Sequence, residues 1–167
     1  MQWTAATAEK RISDLNMADM PVMEITPKPT RVSPDWFGKY KESCRTFMRS
    51  LTDCVQELAL MNLSRDEFMA LVLGKEMPAN LSIRFRVPLV WGGKVEPDNL
   101  FMCATFPQSQ NLDRFILEQS GNNVIWLPNP EKKIYIPIHS VLAGNGGNAV
   151  ADRLSQMAAN IAANRRP

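Results

Sequence analysis

The sequence predicts an α+β domain built from an antiparallel sheet of about four strands with helices on one face. Three observations carry that prediction. Apolar and polar side chains alternate from Ser82 to Leu89, the period of a strand with one buried face. Apolar residues recur at three- and four-residue steps after Ser33 and again after Ser64, the period of amphipathic helices. Turn residues then divide the chain into the order helices, β-hairpin, helix, β-hairpin, helix. Two parts are expected: residues 1–33, a helix and a proline-rich arm, and a single α+β domain over 34–167.

Thr4 to about Asn16 fits a short helix with Ala5, Ala8, Ile12 and Leu15 on one side. The stretch Met20 to Ser33, with Pro21, Pro27 and Pro29, reads as an extended linker or surface arm. Ser33-Pro34-Asp35 is a helix start, with Ser as N-cap and Pro at the first helical position. The helix it opens is expected to run to Asn62, burying Tyr40, Phe47, Leu51, Val55 and Leu58. Ser64-Arg65-Asp66-Glu67 is a capping box for the next helix, which Gly74 ends. Residues Ser82–Leu89 and Leu100–Phe106 are expected to form a hairpin around a long loop with Gly92-Gly93 at its turn. A helix from about Gln110 to Ser120 follows, closed by Gly121-Asn122-Asn123. Val124–Leu127 and Lys133–Ile138 are expected to pair as a second hairpin across Pro128-Asn129-Pro130-Glu131. A glycine-rich loop at 144–147 and a final helix capped by Asn148, with Val150, Leu154, Met157 and Ile161 in its stripe, complete the reading.

The stretch Val87-Pro88-Leu89, Gly92-Gly93, Pro97-Asp98-Asn99-Leu100, with Cys103 close behind, resembles the ββα-metal core of HNH endonucleases. That resemblance covers roughly a tenth to an eighth of the chain and implies a strand–loop–strand–helix unit. A one-metal nuclease needs a histidine to activate water and His or Asp ligands for its ion. The base position before Val87 holds Arg84-Phe85-Arg86, and the ligand position after Cys103 holds Ala104-Thr105-Phe106. The chain has one histidine, His139, expected to be structural at a strand end. The resemblance therefore implies a catalytically dead descendant that binds nucleic acid through Arg84, Arg86, Lys94 and Asn99.

Composition narrows the classes further. The 167 residues carry 45% hydrophobic and 22% charged side chains, ordinary for one globular domain. Nineteen basic side chains against 17 acidic give a net charge of +2, a thin footprint for a duplex-DNA protein. Three cysteines, Cys44, Cys54 and Cys103, with no CxxC spacing, suggest neither a disulfide framework nor a zinc site. MQWTAATAEKR does not read as a secretory signal, and no run approaches 18 apolar residues, so no membrane contact and a cytoplasmic setting are expected. No nucleophile, phosphate loop or paired carboxylates stand in a catalytic pattern. The expectation is a non-enzymatic protein-binding module, an adaptor, inhibitor or chaperone-like protein, without cofactor or metal. Its partner is another protein, with homodimerisation as a further possibility. Trp91, Phe37 and Trp3, near turns or helix starts, and Pro27 and Pro29 in the arm are the expected contact residues. The 10 methionines suit adaptable apolar surfaces.

Overall fold

The chain is seen in a computed structural model that describes residues 2–17, 19–136 and 156–161. His139, the 144–147 loop, the end of the expected last strand and the start of the final helix lie outside the described residues. The architecture is α+β: helices α1 (Ala5–Asp14), α2 (Trp36–Ser50), α3 (Val55–Ala59), α4 (Arg65–Val72) and α5 (Gln110–Leu117) surround strands β1 (Val22–Ile25), β2 (Leu81–Phe85), β3 (Leu100–Ala104) and β4 (Ile125–Pro128).

α1 starts where Thr4 caps it, its hydroxyl accepting from the Thr7 N–H at 3.2 Å. The helix turns Ala8 and Ile12 inward. α4 opens on the expected capping box, Ser64 and Glu67 exchanging side-chain and backbone bonds of 3.1 Å each. Gly74 ends it at φ +73°, where a Cβ would come within 3.2 Å of the Arg45 carbonyl oxygen.

The long helix expected over 34–62 is interrupted. Ser33 is not its N-cap: the Ser33 hydroxyl bonds the Asp35 carboxylate instead, and the helix begins at Trp36. After Ser50 the chain tightens into a 3-10 turn, Leu51–Cys54, before α3. Ser50 and Thr52 donate their hydroxyls back to the Phe47 and Arg49 carbonyls, at 2.6 and 3.4 Å, which competes with the regular helix ladder. The tighter turn keeps Leu51, Cys54 and Leu58 all on the buried side.

The sheet differs more. Among the described residues there are two two-stranded antiparallel sheets, β1 with β4 and β2 with β3, rather than one of four strands. The second hairpin is not present among the described residues. β4 pairs with β1, Val22 opposite Pro128 and Ile25 opposite Ile125, so the first part of the proline-rich arm is a strand rather than a linker. The segment expected to pair with β4 instead meets β3 in parallel at one bridge, Ile134 beside Met102. The Met102 N–H donates to the Lys133 carbonyl at 2.8 Å and the Tyr135 N–H to the Met102 carbonyl at 2.9 Å. Pro128 and Pro130 bring no N–H to a ladder across the turn.

β3 is consequently the centre of the molecule. Its residues Leu100 and Met102 enter one core with Phe47, Leu58, Phe68, Leu71 and Ile161. Phe101 and Cys103 enter a second core with Ala8, Ile12, Met17, Leu112 and Phe115. β3 is thus covered on both faces, and Ala8, Ile12, Leu15, Met17 and Met20 from the N-terminal part are buried in the second core, whereas Lys28 to Arg31 are exposed. β2 is shorter than expected, ending at Phe85, because Pro88 cannot donate and the chain turns away through Leu89–Trp91.

Candidate functional site

The loop between β2 and β3 is built by one side chain. The Asn99 carboxamide accepts from the Val87 N–H and donates to the Val87 and Lys94 carbonyls, each at 2.9 Å. Such a pairing substitutes for a strand neighbour and ties the two ends of the loop together. Gly93 is required beside it, because a Cβ there would lie 1.9 Å from the Val87 carbonyl oxygen. The arm clamps the crest, the Thr30 N–H donating to the Val90 carbonyl at 2.9 Å, and Ser43 on α2 donates to the Val95 carbonyl at 3.1 Å. Trp91 is therefore carried on a braced turn.

Trp91, Pro27 and Pro88 line a groove of about 570 Å³ together with Ile116 and Leu117 at the end of α5 and Asn122 in the turn beyond it. Arg84 and Asp113 also line it. Arg84 is largely buried: its Nη1 donates to the Ser109 carbonyl at 3.0 Å and hydroxyl at 2.9 Å, and meets the Asp113 carboxylate at 2.7 Å. Asp113 itself is exposed. Two buried donors, Arg84 Nε and Asn122 Nδ2, have no partner among the described residues, and both belong to residues of this groove. Leu117, with 71% of its surface exposed, is the apolar side chain most available at the rim.

Arg84 and Arg86 do not stand on an open face as the alternating pattern implied. The β2 face opposite the first core is covered by α5 and the turn before it. Arg86 donates to Asn129 Oδ1 at 3.2 Å and to the carbonyls of Pro130 and Lys132 at 2.6 and 3.2 Å, with its guanidinium 5.6 Å from the Phe101 ring centre. Burial pulls its pKa down. Asn99 is the loop brace, and among these four residues only Lys94 is exposed.

The other expected contact residues separate. Trp3 is half-buried against Phe115, ring centres 5.6 Å apart, and its carbonyl accepts from Trp126 Nε1 at 3.2 Å. Phe37 is 51% exposed and belongs to an aromatic cluster with Trp36 and Tyr40, the Lys41 ammonium lying 4.7 Å from its ring centre. Burial, and then the hydrogen bond to Cys44, push the Tyr40 phenol up to about 12. Pro29 is exposed on the arm and does not line the groove. Nothing in the sequence marks Asp113 or Leu117 as contact residues, and Asn122 reads there only as part of a helix stop.

A second cavity of about 580 Å³ lies between α3 and the 130–136 segment, lined by Glu57, Leu60, Lys132 and Tyr135, and holds none of the expected contact residues. The three cysteines are free, and burial raises the Cys103 thiol to about 11, far from a reactive range. Among the described residues no His, Cys, Asp or Glu side chains group in threes as metal ligands, and no helix is long and apolar enough to cross a membrane. No protein-family model matches the chain, and neither a curated protein nor a solved structure matches it.

Proposed function

We propose that the protein is a non-enzymatic protein-binding module whose groove between the Trp91 turn and the end of α5 receives an extended segment of a partner protein. The observation that carries this reading is the composition of the groove. Trp91, Pro27 and Leu117 all line it, and two of its residues keep buried donors that nothing in the described chain satisfies. Apolar walls with a few convergent polar groups are the usual make-up of a binding cleft. An aromatic anchor on a rigid turn supplies contact area with little entropy to lose.

The kinship with HNH endonucleases has one point of support, the order β2, braced loop, β3, α5 with Asn99 holding the loop. The residues at its base and ligand positions support a non-catalytic role. The nucleic-acid alternative loses its arginines, because Arg84 and Arg86 both serve internal acceptors.

Selection of a random peptide library on the whole protein tests the reading. Leu117→Arg adds bulk and charge at the groove rim on a side chain that makes little of the core, so the fold should be kept. Enriched sequences should bind the parent and lose at least tenfold in affinity on this variant, about 1.4 kcal/mol. Enriched sequences that bind both equally, or no enrichment at all, would remove the groove from the proposal.

A further inference from the structure

We infer that the exposed side of α2 and the arm that leads into it bind single-stranded nucleic acid, with phosphates on a cationic row and a base stacked on the Phe37 ring. This is a function beyond the groove, and it uses neither Arg84 nor Arg86.

The first observation is charge. Residues 28–49 carry six basic side chains, Lys28, Arg31, Lys39, Lys41, Arg45 and Arg49, against Asp35 and Glu42, a net +4. The rest of the chain carries 13 basic and 15 acidic side chains, a net −2, so the positive excess of the whole protein resides in this segment. All six cations are exposed. Lys39 meets Asp35 at 3.7 Å and Arg45 meets Glu42 at 3.8 Å. Among the described residues no carboxylate pairs with the other four. A concentrated positive field of this kind attracts polyanions.

The second observation is geometry. Phe37, Lys41, Arg45 and Arg49 recur every four residues along α2, so they succeed one another on neighbouring turns about 6 Å apart along the axis. The Phe37 ring is 51% exposed and rests on Trp36 and Tyr40, ring centres 5.6 and 6.5 Å away. Tyr40 in turn packs on Phe85 of β2 at 5.4 Å, which anchors the cluster to the sheet. The Lys41 ammonium lies 4.7 Å from the Phe37 ring centre, held by a ring instead of a carboxylate. A base stacked on Phe37 therefore finds a free cation beside it for its own phosphate.

The ring decides between polyanions. A cationic track with an aromatic platform is the make-up of sites for single strands, because every base has a face to stack. A duplex keeps its bases stacked on one another and closed to Phe37. An acidic peptide carries no ring with each charge.

The test follows the fluorescence anisotropy of labelled strands with the full chain. The probes are oligothymidylate and oligouridylate of about 12 nucleotides, within the span of one site, an abasic strand of the same length, the matching duplex and polyglutamate. One or both base-bearing strands should bind saturably, several-fold tighter than the other probes, and the tighter of the two identifies the sugar. Affinity should fall with salt, with a log–log slope of about −2 to −3 for three or four phosphates. Phe37→Ala should weaken the base-bearing strand about tenfold and leave the abasic strand unchanged. Phe37→Trp keeps a platform and should retain binding, which separates the loss of stacking from a loss of fold. Lys41→Ala with Arg45→Ala should weaken both strands and reduce the slope by about 1.4. Absence of binding at low salt, equal affinity for base-bearing and abasic strands, or a preference for duplex or polyglutamate would each overturn the inference.

Discussion

Three side-chain amides stand in for missing strands. Asn99 pairs with both backbone groups of Val87, Gln119 with both of Trp126, and Gln2 with both of Val124. Gln119 is fully buried, and its carboxamide accepts from the Trp126 N–H at 2.7 Å while donating to the Trp126 carbonyl at 2.9 Å. Removing one partner of a buried bond leaves the other desolvated and unpaired, which costs about 1–3 kcal/mol per group. Gln119→Leu keeps the volume and strands both groups of Trp126, so the urea midpoint should fall well beyond the effect of an exposed control such as Gln110→Leu. An unchanged midpoint would mean that water replaces the carboxamide. In sequence Gln119 fell on the inward stripe of its helix, but nothing in the spacing distinguished a buried amide from a helix-end polar residue.

At the scale of elements, α1 and α5 are joined by the Arg11–Glu118 pair, with Arg114 adding a third charge at 3.4 Å. The hydrogen bond from Arg11 holds the Glu118 carboxyl below its ordinary 4.5. A depressed carboxyl contributes stability that is present above its unfolded value and is lost as pH falls through the folded value. The acid limb of the stability profile should therefore flatten in Glu118→Gln, the two proteins converging below pH 4.5 and separating above it. The pair is part-exposed, so solvent screening keeps the difference under about 1 kcal/mol. Parallel profiles in urea melts across this range would show the pair to be inert. Helix starts were readable where capping is local: Ser64 and Glu67 form the capping box that their spacing implies. Ser33 did not cap its helix, since a neighbouring carboxylate captured its hydroxyl first.

For the whole molecule, β3 belongs to two cores at once. Met102 faces one and Phe101 the other, on consecutive residues of one strand. Strand rigidity makes the two cores mechanically dependent, so they should unfold together rather than in turn. Met102→Ala should cost about 2–5 kcal/mol. The loss should appear equally in the hydrogen-exchange protection of Phe115, in the opposite core, and of Phe47, in its own. Protection lost only around Phe47 would mean two independently opening units.

The sequence determined by itself what short-range physics controls. Helix caps, glycine stops and the Gly92-Gly93 turn are fixed by residues within a few positions of one another. Only the tertiary structure decided which strands meet. β4 had a nearer candidate at Lys133–Ile138, yet its partner is β1, about 100 residues away, because ladder pairing depends on donors and burial that arrive from elsewhere in the chain. The same holds for the groove. Trp91 and Pro27 were visible in the sequence as contact candidates, but the packing of α5 turned Arg84 from an apparent surface cation into a largely buried one bonded to Ser109 and Asp113.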